Sequence, residues 1–145
     1  MQFQGGCHCG NISVILDWPT DATRIPARAC DCSFCTAHGA VWTSDPAAKL
    51  VVRIRDAALV ASYEFGTQTA EFRVCGRCGV VPLASCTIER ARFAVVNVTA
   101  LRGVDEQMVV RSSSNVDGED IGTRLARRQR NWISQVAIDA AELTS

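Results

Sequence analysis

The cysteine pattern constrains this chain more than any other feature of its sequence. Seven of the eight cysteines stand in three tight clusters: Cys7 and Cys9; Cys30, Cys32 and Cys35; and Cys75 and Cys78. Cysteines separated by a single residue are too close for an unstrained disulfide, whereas a turn can aim both sulfur atoms at one ion. In a reducing cytosol, so high a cysteine count favours metal binding or thiol chemistry over disulfides.

The two outer pairs predict one closed metal site. CHCG supplies Cys7 and Cys9, and CGRCG supplies Cys75 and Cys78 in a C-x-x-C-G knuckle. Zinc is the expected ion because it takes four thiolates tetrahedrally without a redox change. Such a site is structural, since no coordination position is left for a substrate, and its metal adds to the free energy of folding. A pair of redox dithiols is the alternative, although no βαβ pattern surrounds CGRCG.

The middle segment ACDCSFC holds three cysteines, Cys30, Cys32 and Cys35, and offers no fourth. Three protein ligands and one open position are the arrangement of a catalytic zinc, whose fourth place takes water or substrate. His38, three residues beyond the cluster, or the distant Cys86 could instead close the site. The simpler interpretation of Cys86 is a buried core residue, because free cysteines are commonly buried.

Short apolar segments separated by turn signals predict an all-β fold in a single domain over residues 1–145. The expected strands are NISVILDW, RIPARAC, GAVWTSD, KLVVRI, ALVASYEF, AEFRVC, VVPLASC and RFAVVNVTAL. Strands of this length and spacing are typical of a sandwich or an open barrel.

The tail of the chain has a different pattern. Ile121, Leu125, Arg128 and Trp132 stand near helical spacing, which predicts a short C-terminal helix within an extension over about 118–140. The arginine-rich segment RLARRQR is expected on the solvated face of that helix. A nucleic-acid surface is the alternative, and the balance of 15 basic and 15 acidic residues argues against it.

Composition also bears on where the protein acts. No run approaches the roughly 18 consecutive apolar residues of a membrane span. The opening MQFQGGCHCG lacks the basic region and apolar run of a secretory signal. We therefore expect a cytoplasmic protein that does not bind membranes.

Taken together, the motifs resemble the glutathione-dependent formaldehyde-activating enzyme family, which includes centromere-protein-V-like members. The matching features span about residues 5–100 and are GCHCG, CDCSFC, Tyr63 and CGRCG. The sequence departs from the family pattern at Asp31, where histidine is frequent, and at Val74, where phenylalanine is frequent and Phe72 stands two residues earlier. Neither departure replaces a metal ligand.

The resemblance implies a β-tent of antiparallel strands around two zinc sites. It implies a structural zinc on Cys7, Cys9, Cys75 and Cys78, and a second, catalytic-type zinc on Cys30, Cys32 and Cys35. The implied reaction condenses glutathione with formaldehyde to S-hydroxymethylglutathione, which in reverse is a carbon–sulfur lyase. A similar small thiol could replace glutathione as the partner.

Other side chains near the motifs are candidates for supporting roles. Ser33, Asp31 and His38 could transfer a proton, although a turn serine such as Ser33 more often bonds to the backbone or to a cysteine sulfur. Glutathione has two carboxylates, so an arginine clamp is expected. The candidate clamp residues are Arg28, Arg73 and Arg77, and the candidate aromatic walls of the pocket are Trp42 and Tyr63. His8 is expected to point away from the metal.

Two functions without turnover compete with the enzyme. In the first, both zinc sites are structural and closed, and the β surface binds a protein partner. In the second, the chain carries a thiol or a metal. The number of bound zinc ions and the ligand set of the second site separate these alternatives.

Overall fold

A computed structural model describes residues 1–19, 24–114 and 118–140. Within these residues twelve strands form two sheets, which confirms that the chain is mostly β. The strands are β1 (Gln2–Gly6), β2 (Ile12–Asp17), β3 (Ile25–Cys30), β4 (Trp42–Thr43), β5 (Lys49–Ile54), β6 (Val60–Tyr63), β7 (Glu71–Cys75), β8 (Leu83–Ile88), β9 (Ala91–Asn97), β10 (Leu101–Arg102), β11 (Val109–Ser114) and β12 (Gln135–Ala140). The α-helices are α1 (Ser33–His38) and α2 (Ile121–Asn131).

The two sheets pack around a shared core. The five-stranded sheet has the order β10-β1-β2-β5-β12, and the seven-stranded sheet has the order β11-β3-β4-β9-β8-β7-β6. Along β2 the buried residues Ile12, Val14 and Leu16 alternate with more exposed ones, as the period of a half-buried strand requires. They join Leu83 and Val96 of the other sheet in one apolar cluster. Each such side chain contributes about 1.5–3 kcal/mol on burial.

The expectation of antiparallel strands is wrong for two strands at the sheet edges. β11 pairs in parallel with β3, and β12 pairs in parallel with β5. Parallel neighbours require a crossover connection. The helix α2 lies between β11 and β12 in the chain, so the segment that carries it crosses from the seven-stranded sheet to the five-stranded sheet.

The short C-terminal helix is confirmed, but a helical extension over about 118–140 is wrong beyond Asn131. The helix stops there, and Gln135–Ala140 forms β12 instead. In β12 the residues Val136 and Ile138 alternate with more exposed neighbours and pack on the main core. A period of two suits a strand, so the apolar pattern of this segment favours β structure over helix. No helix in the described part of the chain combines the length and the hydropathy needed to cross a membrane.

Candidate metal centres and the adjoining cavity

Two hairpin turns bring the outer cysteines together. Cys7 and Cys9 lie in the turn between β1 and β2, while Cys75 and Cys78 lie where β7 ends and the chain turns toward β8. The first hairpin belongs to the five-stranded sheet and the second to the seven-stranded sheet. All four sulfur atoms lie within 4.8 Å of one another. The cluster therefore joins the two sheets at one point.

Glycines shape both turns. Gly10 and Gly79 have φ angles of +86° and +83°, a left-handed conformation that residues with a Cβ rarely adopt. In the first turn the amide of Ile12 donates to the sulfur of Cys7 at 3.2 Å. Backbone amides that point at sulfur favour the thiolate form, which is the form that binds metal.

The geometry of the four-cysteine cluster fits a tetrahedral metal ion. The sulfur of Cys9 lies 3.7 Å from that of Cys7 and 3.5 Å from that of Cys75. A tetrahedron of sulfurs around zinc, with bonds of about 2.3 Å, has edges of about 3.8 Å. Thiolate ligands also select zinc-like ions over magnesium or calcium. The cluster is therefore positioned to bind a metal ion and is compatible with zinc.

The thiols of this cluster differ in their ease of ionisation. Burial raises the pKa of Cys7 to about 11. Burial acts in the same direction on Cys78, but backbone amides of Val80 and Cys9 oppose it and lower the pKa of Cys78 to about 6. Metal binding requires deprotonated thiols, and the backbone amides at Cys78 favour this form.

The middle cysteines lie at the junction of β3 and α1. Cys30 ends β3, Cys32 is the N-cap of α1, and Cys35 lies in the first turn of that helix. The sulfur of Cys32 accepts a hydrogen bond from the amide of Cys35 at 3.3 Å, and the indole Nε1 of Trp42 donates to the sulfur of Cys35 at 3.3 Å. The three sulfurs lie within 4.8 Å of one another, so this cluster is also positioned to bind a metal ion.

Neither candidate fourth ligand belongs to this cluster. His38 is exposed, and its Nδ1 donates to the carbonyl of Phe34 at 2.6 Å. Cys86 is 2% exposed and accepts a hydrogen bond from Nη1 of Arg128 at 3.4 Å, which places it in the core as predicted. In the described residues, no fourth cysteine, histidine or carboxylate lies within the 4.8 Å range that groups the three sulfurs.

The three-cysteine cluster favours a thiolate at Cys30. The hydrogen bond from Cys35 lowers the pKa of Cys30 to about 5, and burial only partly offsets this effect. The same hydrogen bond, together with burial, raises the pKa of Cys35 well above its usual range. Within this hydrogen-bonded trio, the thiolate is thus favoured at Cys30 over Cys35.

A cavity of about 360 Å³ opens beside the three-cysteine cluster. This volume lies within the usual range for small-molecule sites. Cys30, Cys32 and Cys35 form part of its wall. The aromatic part of the wall consists of Trp42, Phe65, Phe72 and Trp132. The charged part consists of Arg28, Glu119, Arg124, Arg127 and Arg128.

Only some of the predicted pocket residues reach this cavity. Arg28 and Trp42 line it. Arg73 lies outside the lining, where it forms an ion pair with Glu71 at 3.0 Å, and Arg77 is exposed in the second knuckle.

The remaining candidates lie on the protein surface. Asp31 and Ser33 are exposed at the start of α1 and do not line the cavity. Tyr63 is 47% exposed and packs against Phe34, with ring centroids 5.0 Å apart. His8 is exposed, as expected. A proton-transfer role for Ser33 stays a prediction.

The arginines of α2 do not lie where their sequence pattern predicted. The segment RLARRQR was expected on a solvated helix face, but Arg128 is 6% exposed and Arg124 and Arg127 are half-buried at the cavity. These three arginines are spaced i, i+3 and i+4, so they share one face of the helix. That spacing is the signal that could have separated them from Arg130, which is exposed.

Hydrogen bonds hold α2 over the cavity. Ser44 links Arg28 to the end of the helix, because its hydroxyl accepts from Arg28 at 2.9 Å and donates to the carbonyl of Asn131 at 2.8 Å. Trp132 is the C-cap of α2, and the next residue, Ile133, exchanges two backbone hydrogen bonds with Ala94 of β9, both 3.0 Å long. The helix is thereby attached to the same sheet that carries the three cysteines.

Comparison with known proteins supports the fold but does not identify a function. A crystal structure of a Rhodobacter sphaeroides protein, a structural-genomics target, aligns with a TM-score of 0.55 and 29% sequence identity. The alignment covers 75% of this chain and 99% of that protein, so a quarter of this chain lies outside it. No protein-family model and no curated protein matches the chain.

Proposed function

We propose that this protein is a zinc-dependent enzyme of the carbon–sulfur lyase type that joins a small thiol, favoured as glutathione, to formaldehyde. The observation that carries the proposal is the cluster of Cys30, Cys32 and Cys35 in the wall of a 360 Å³ cavity. A ligand in this cavity has access to a three-sulfur metal site. The motif resemblance to the formaldehyde-activating family points to the same chemistry.

The two cysteine clusters have different roles in this proposal. Cys7, Cys9, Cys75 and Cys78 would hold a structural zinc, because four protein ligands leave no place for a substrate. Cys30, Cys32 and Cys35 would hold a second zinc with one open position. Zinc at that position would favour the thiolate form of an incoming thiol, which at neutral pH is mostly protonated.

The proposed reaction needs no oxidant or reductant. The sulfur of glutathione forms a bond to the formaldehyde carbon while the carbonyl π bond breaks. The oxygen then takes up one proton, and the thiol has lost one. The product S-hydroxymethylglutathione contains all atoms of both reactants, and the reverse reaction breaks the same carbon–sulfur bond.

The protein's own side chains prepare the site for this reaction. Trp42 donates its indole N–H to the sulfur of Cys35 and so disperses negative charge on that ligand. Phe72 packs on Trp42 at 5.7 Å between ring centroids and fixes its orientation.

The closed binding module makes a different prediction. It requires a fourth protein ligand at the middle cluster, for which His38 and Cys86 were the candidates within the chain. His38 is exposed and Cys86 is bonded to Arg128. We therefore favour the open site and retain a thiol carrier without turnover as the alternative.

The β-tent and the cytoplasmic location belong to the same proposal. The two sheets that meet at the four-cysteine cluster are consistent with a β-tent. All eight cysteines are free thiols, which suits a reducing compartment.

Measurement of formaldehyde exchange tests the proposal. Thiols add to formaldehyde without a catalyst, so the rate of S-hydroxymethylglutathione formation must be measured at equilibrium, for example by NMR exchange spectroscopy, with and without zinc-loaded protein. We expect acceleration by the wild type and by Cys86→Ser, and the background rate with Cys32→Ser. Equal rates with wild type and without protein would overturn the proposal, and glutathione binding without acceleration would establish the carrier.

A further inference from the structure

The cavity beside the three cysteines has a strongly cationic wall. Arg124, Arg127 and Arg128 come from one face of α2, and Arg28 comes from β3. Of the lining residues that the structure describes, Glu119 is the one carboxylate. In the described part of the wall, Arg28, Arg127 and Arg128 alone outnumber Glu119, and this local positive charge favours an anionic ligand.

Arg128 is the most buried of these arginines. Its exposed fraction is 6%, and its guanidinium stacks on Trp132, 4.9 Å from the ring centroid. Nη1 donates to Thr69 at 2.8 Å and to Cys86, but Nε has no hydrogen-bond partner among the described residues. The stacking on Trp132 and the hydrogen bonds to Thr69 and Cys86 fix the position of this guanidinium in the cavity wall.

Glu119 shows which anion the wall is shaped to hold. Its two carboxylate oxygens accept from Nε and Nη2 of Arg127, each at 3.1 Å, and Nε of Arg124 lies 3.6 Å from one of them. This paired arrangement is the geometry in which guanidinium recognises a carboxylate. The wall thus already binds one carboxylate, and its arginines outnumber that carboxylate.

We propose that the arginine face of α2, together with Arg28, is a carboxylate subsite that makes the cavity selective for thiols carrying carboxylate groups. The inference rests on the proposed function only in placing the thiol sulfur at the three-cysteine cluster. The carboxylates of the same molecule then lie against Arg124, Arg127 and Arg128. Because α2 lies beyond residues 5–100, three of the four arginines of this subsite come from a part of the chain outside the cysteine motifs.

Arg127 and Arg130 provide a matched pair of variants. Both are arginines of α2, but Arg127 lines the cavity and Arg130 is exposed outside it. Arg127→Gln and Arg130→Gln remove the same charge from the same helix. Arg127→Lys keeps the charge and loses the paired N–H geometry, which gives a milder variant should Arg127→Gln fold poorly.

Calorimetric titration of the zinc-loaded protein tests the subsite without any turnover. The probe is S-methylglutathione, which keeps both carboxylates and has no free thiol. We expect Arg127→Gln to raise its Kd about 10- to 100-fold, the usual effect of losing a hydrogen bond to a charged group. Arg127→Lys is expected to have a smaller effect, and Arg130→Gln less than about twofold. Equal Kd values for the Gln variants at positions 127 and 130 would overturn the inference.

A second probe separates failure of the subsite from failure of the proposed function. 2-Mercaptoethanol has a thiol and no carboxylate, and its binding is followed by the visible spectrum of the cobalt-substituted protein. We expect wild type and Arg127→Gln to respond alike. If S-methylglutathione does not bind while 2-mercaptoethanol changes the spectrum, the subsite is refuted and the thiol site stands. If S-methylglutathione binds through Arg127 but exchange of formaldehyde is not accelerated, the subsite stands and the lyase is refuted.

Discussion

Replacement of Cys75 by serine distinguishes a structural metal centre from a pair of redox dithiols. Cys75 is fully buried, and its sulfur lies 3.5 Å from that of Cys9 in the cluster that joins the two sheets. We expect the wild type to bind two zinc ions per chain, one for each cysteine cluster, and Cys75→Ser to bind one. A redox pair would instead leave metal content unchanged and respond to oxidants.

The expected loss of stability follows from linkage between metal binding and folding. A metal that binds only the folded chain stabilises it by about 2.7 kcal/mol at a free concentration 100 times the Kd, and by about 4.1 kcal/mol at 1,000 times. For 145 residues, an unfolding entropy of about 2.1 cal/mol/K per residue amounts to about 0.3 kcal/mol per kelvin. The Tm of Cys75→Ser should therefore lie about 9–13 °C below that of the zinc-loaded wild type.

Cys86→Ser is the matched control for this experiment. Cys86 is 2% exposed, almost as buried as Cys75, but belongs to neither cluster. A serine oxygen there can still accept the hydrogen bond from Arg128. We expect a cost of about 1 kcal/mol, or about 3 °C in Tm, and two bound zinc ions.

The assay combines thermal unfolding, with and without a chelator, with elemental analysis of zinc. The reasoning is refuted if Cys75→Ser retains two zinc ions. It is also refuted if chelation lowers the Tm of the wild type no more than that of Cys75→Ser. Should Cys75→Ser not fold, stepwise chelation of the wild type decides the point, since release of the structural zinc must coincide with the large fall in Tm.

Three further substitutions test the cavity and its metal site. Cys32→Ser should remove one zinc ion. Beyond the effect of that lost zinc, the Tm should change by no more than a few degrees, because serine is itself a good N-cap for α1. A second zinc ion still present by elemental analysis would contradict the assignment. Trp42→Phe deletes the N–H that donates to the sulfur of Cys35, so zinc should leave the three-cysteine site faster in a chelator competition. An unchanged release rate would show that this hydrogen bond does not support Cys35 as a ligand. Glu119→Gln removes the carboxylate that pairs with Arg127, so calorimetry should give a severalfold lower Kd for S-methylglutathione. A higher Kd would mean that Glu119 positions Arg127 and does not compete with the ligand.

Local patterns in the sequence predicted the two cysteine clusters and the central strands. Cys30, Cys32 and Cys35 lie so close along the chain that a single strand-to-helix junction gathers them. Alternating apolar residues likewise predicted β2, where Ile12 pairs with Ile54 of β5 across the sheet. For the middle cluster and β2 the determining interactions span few residues or follow the period of one strand, whereas Cys9 and Cys75 are 66 residues apart and were paired from the four-thiolate preference of zinc.

The role of α2 could not be predicted in the same way. Helical periodicity shows that Arg124 and Arg128 share a face, but it does not show whether that face meets solvent or a cavity. That outcome depends on the bridge between Ile133 and Ala94 and on the parallel pairing of β12 with β5, which join positions far apart in sequence. Arginine is usually exposed, so residue type alone predicted that this face of α2 would contact solvent.

The charged side chains that line the cavity bear on the role of α2. Zinc held by the three thiolates of the middle cluster carries one net negative charge, and Glu119 adds another. Among the described lining residues, Arg28, Arg127 and Arg128 alone outnumber Glu119, so this part of the wall is cationic. Burial is the main cause that lowers the pKa values of Arg28 and Arg128; the charge of Arg127 adds to it for Arg28, and the charges of Arg124 and Arg127 add to it for Arg128. An anionic ligand such as a thiol with carboxylate groups would offset this positive charge, whereas an uncharged thiol would leave it in place. Nearby arginines would stabilise any anionic zinc–thiolate site, open or closed, so it is their position in the wall of a cavity beside the three cysteines that favours a ligand-binding role.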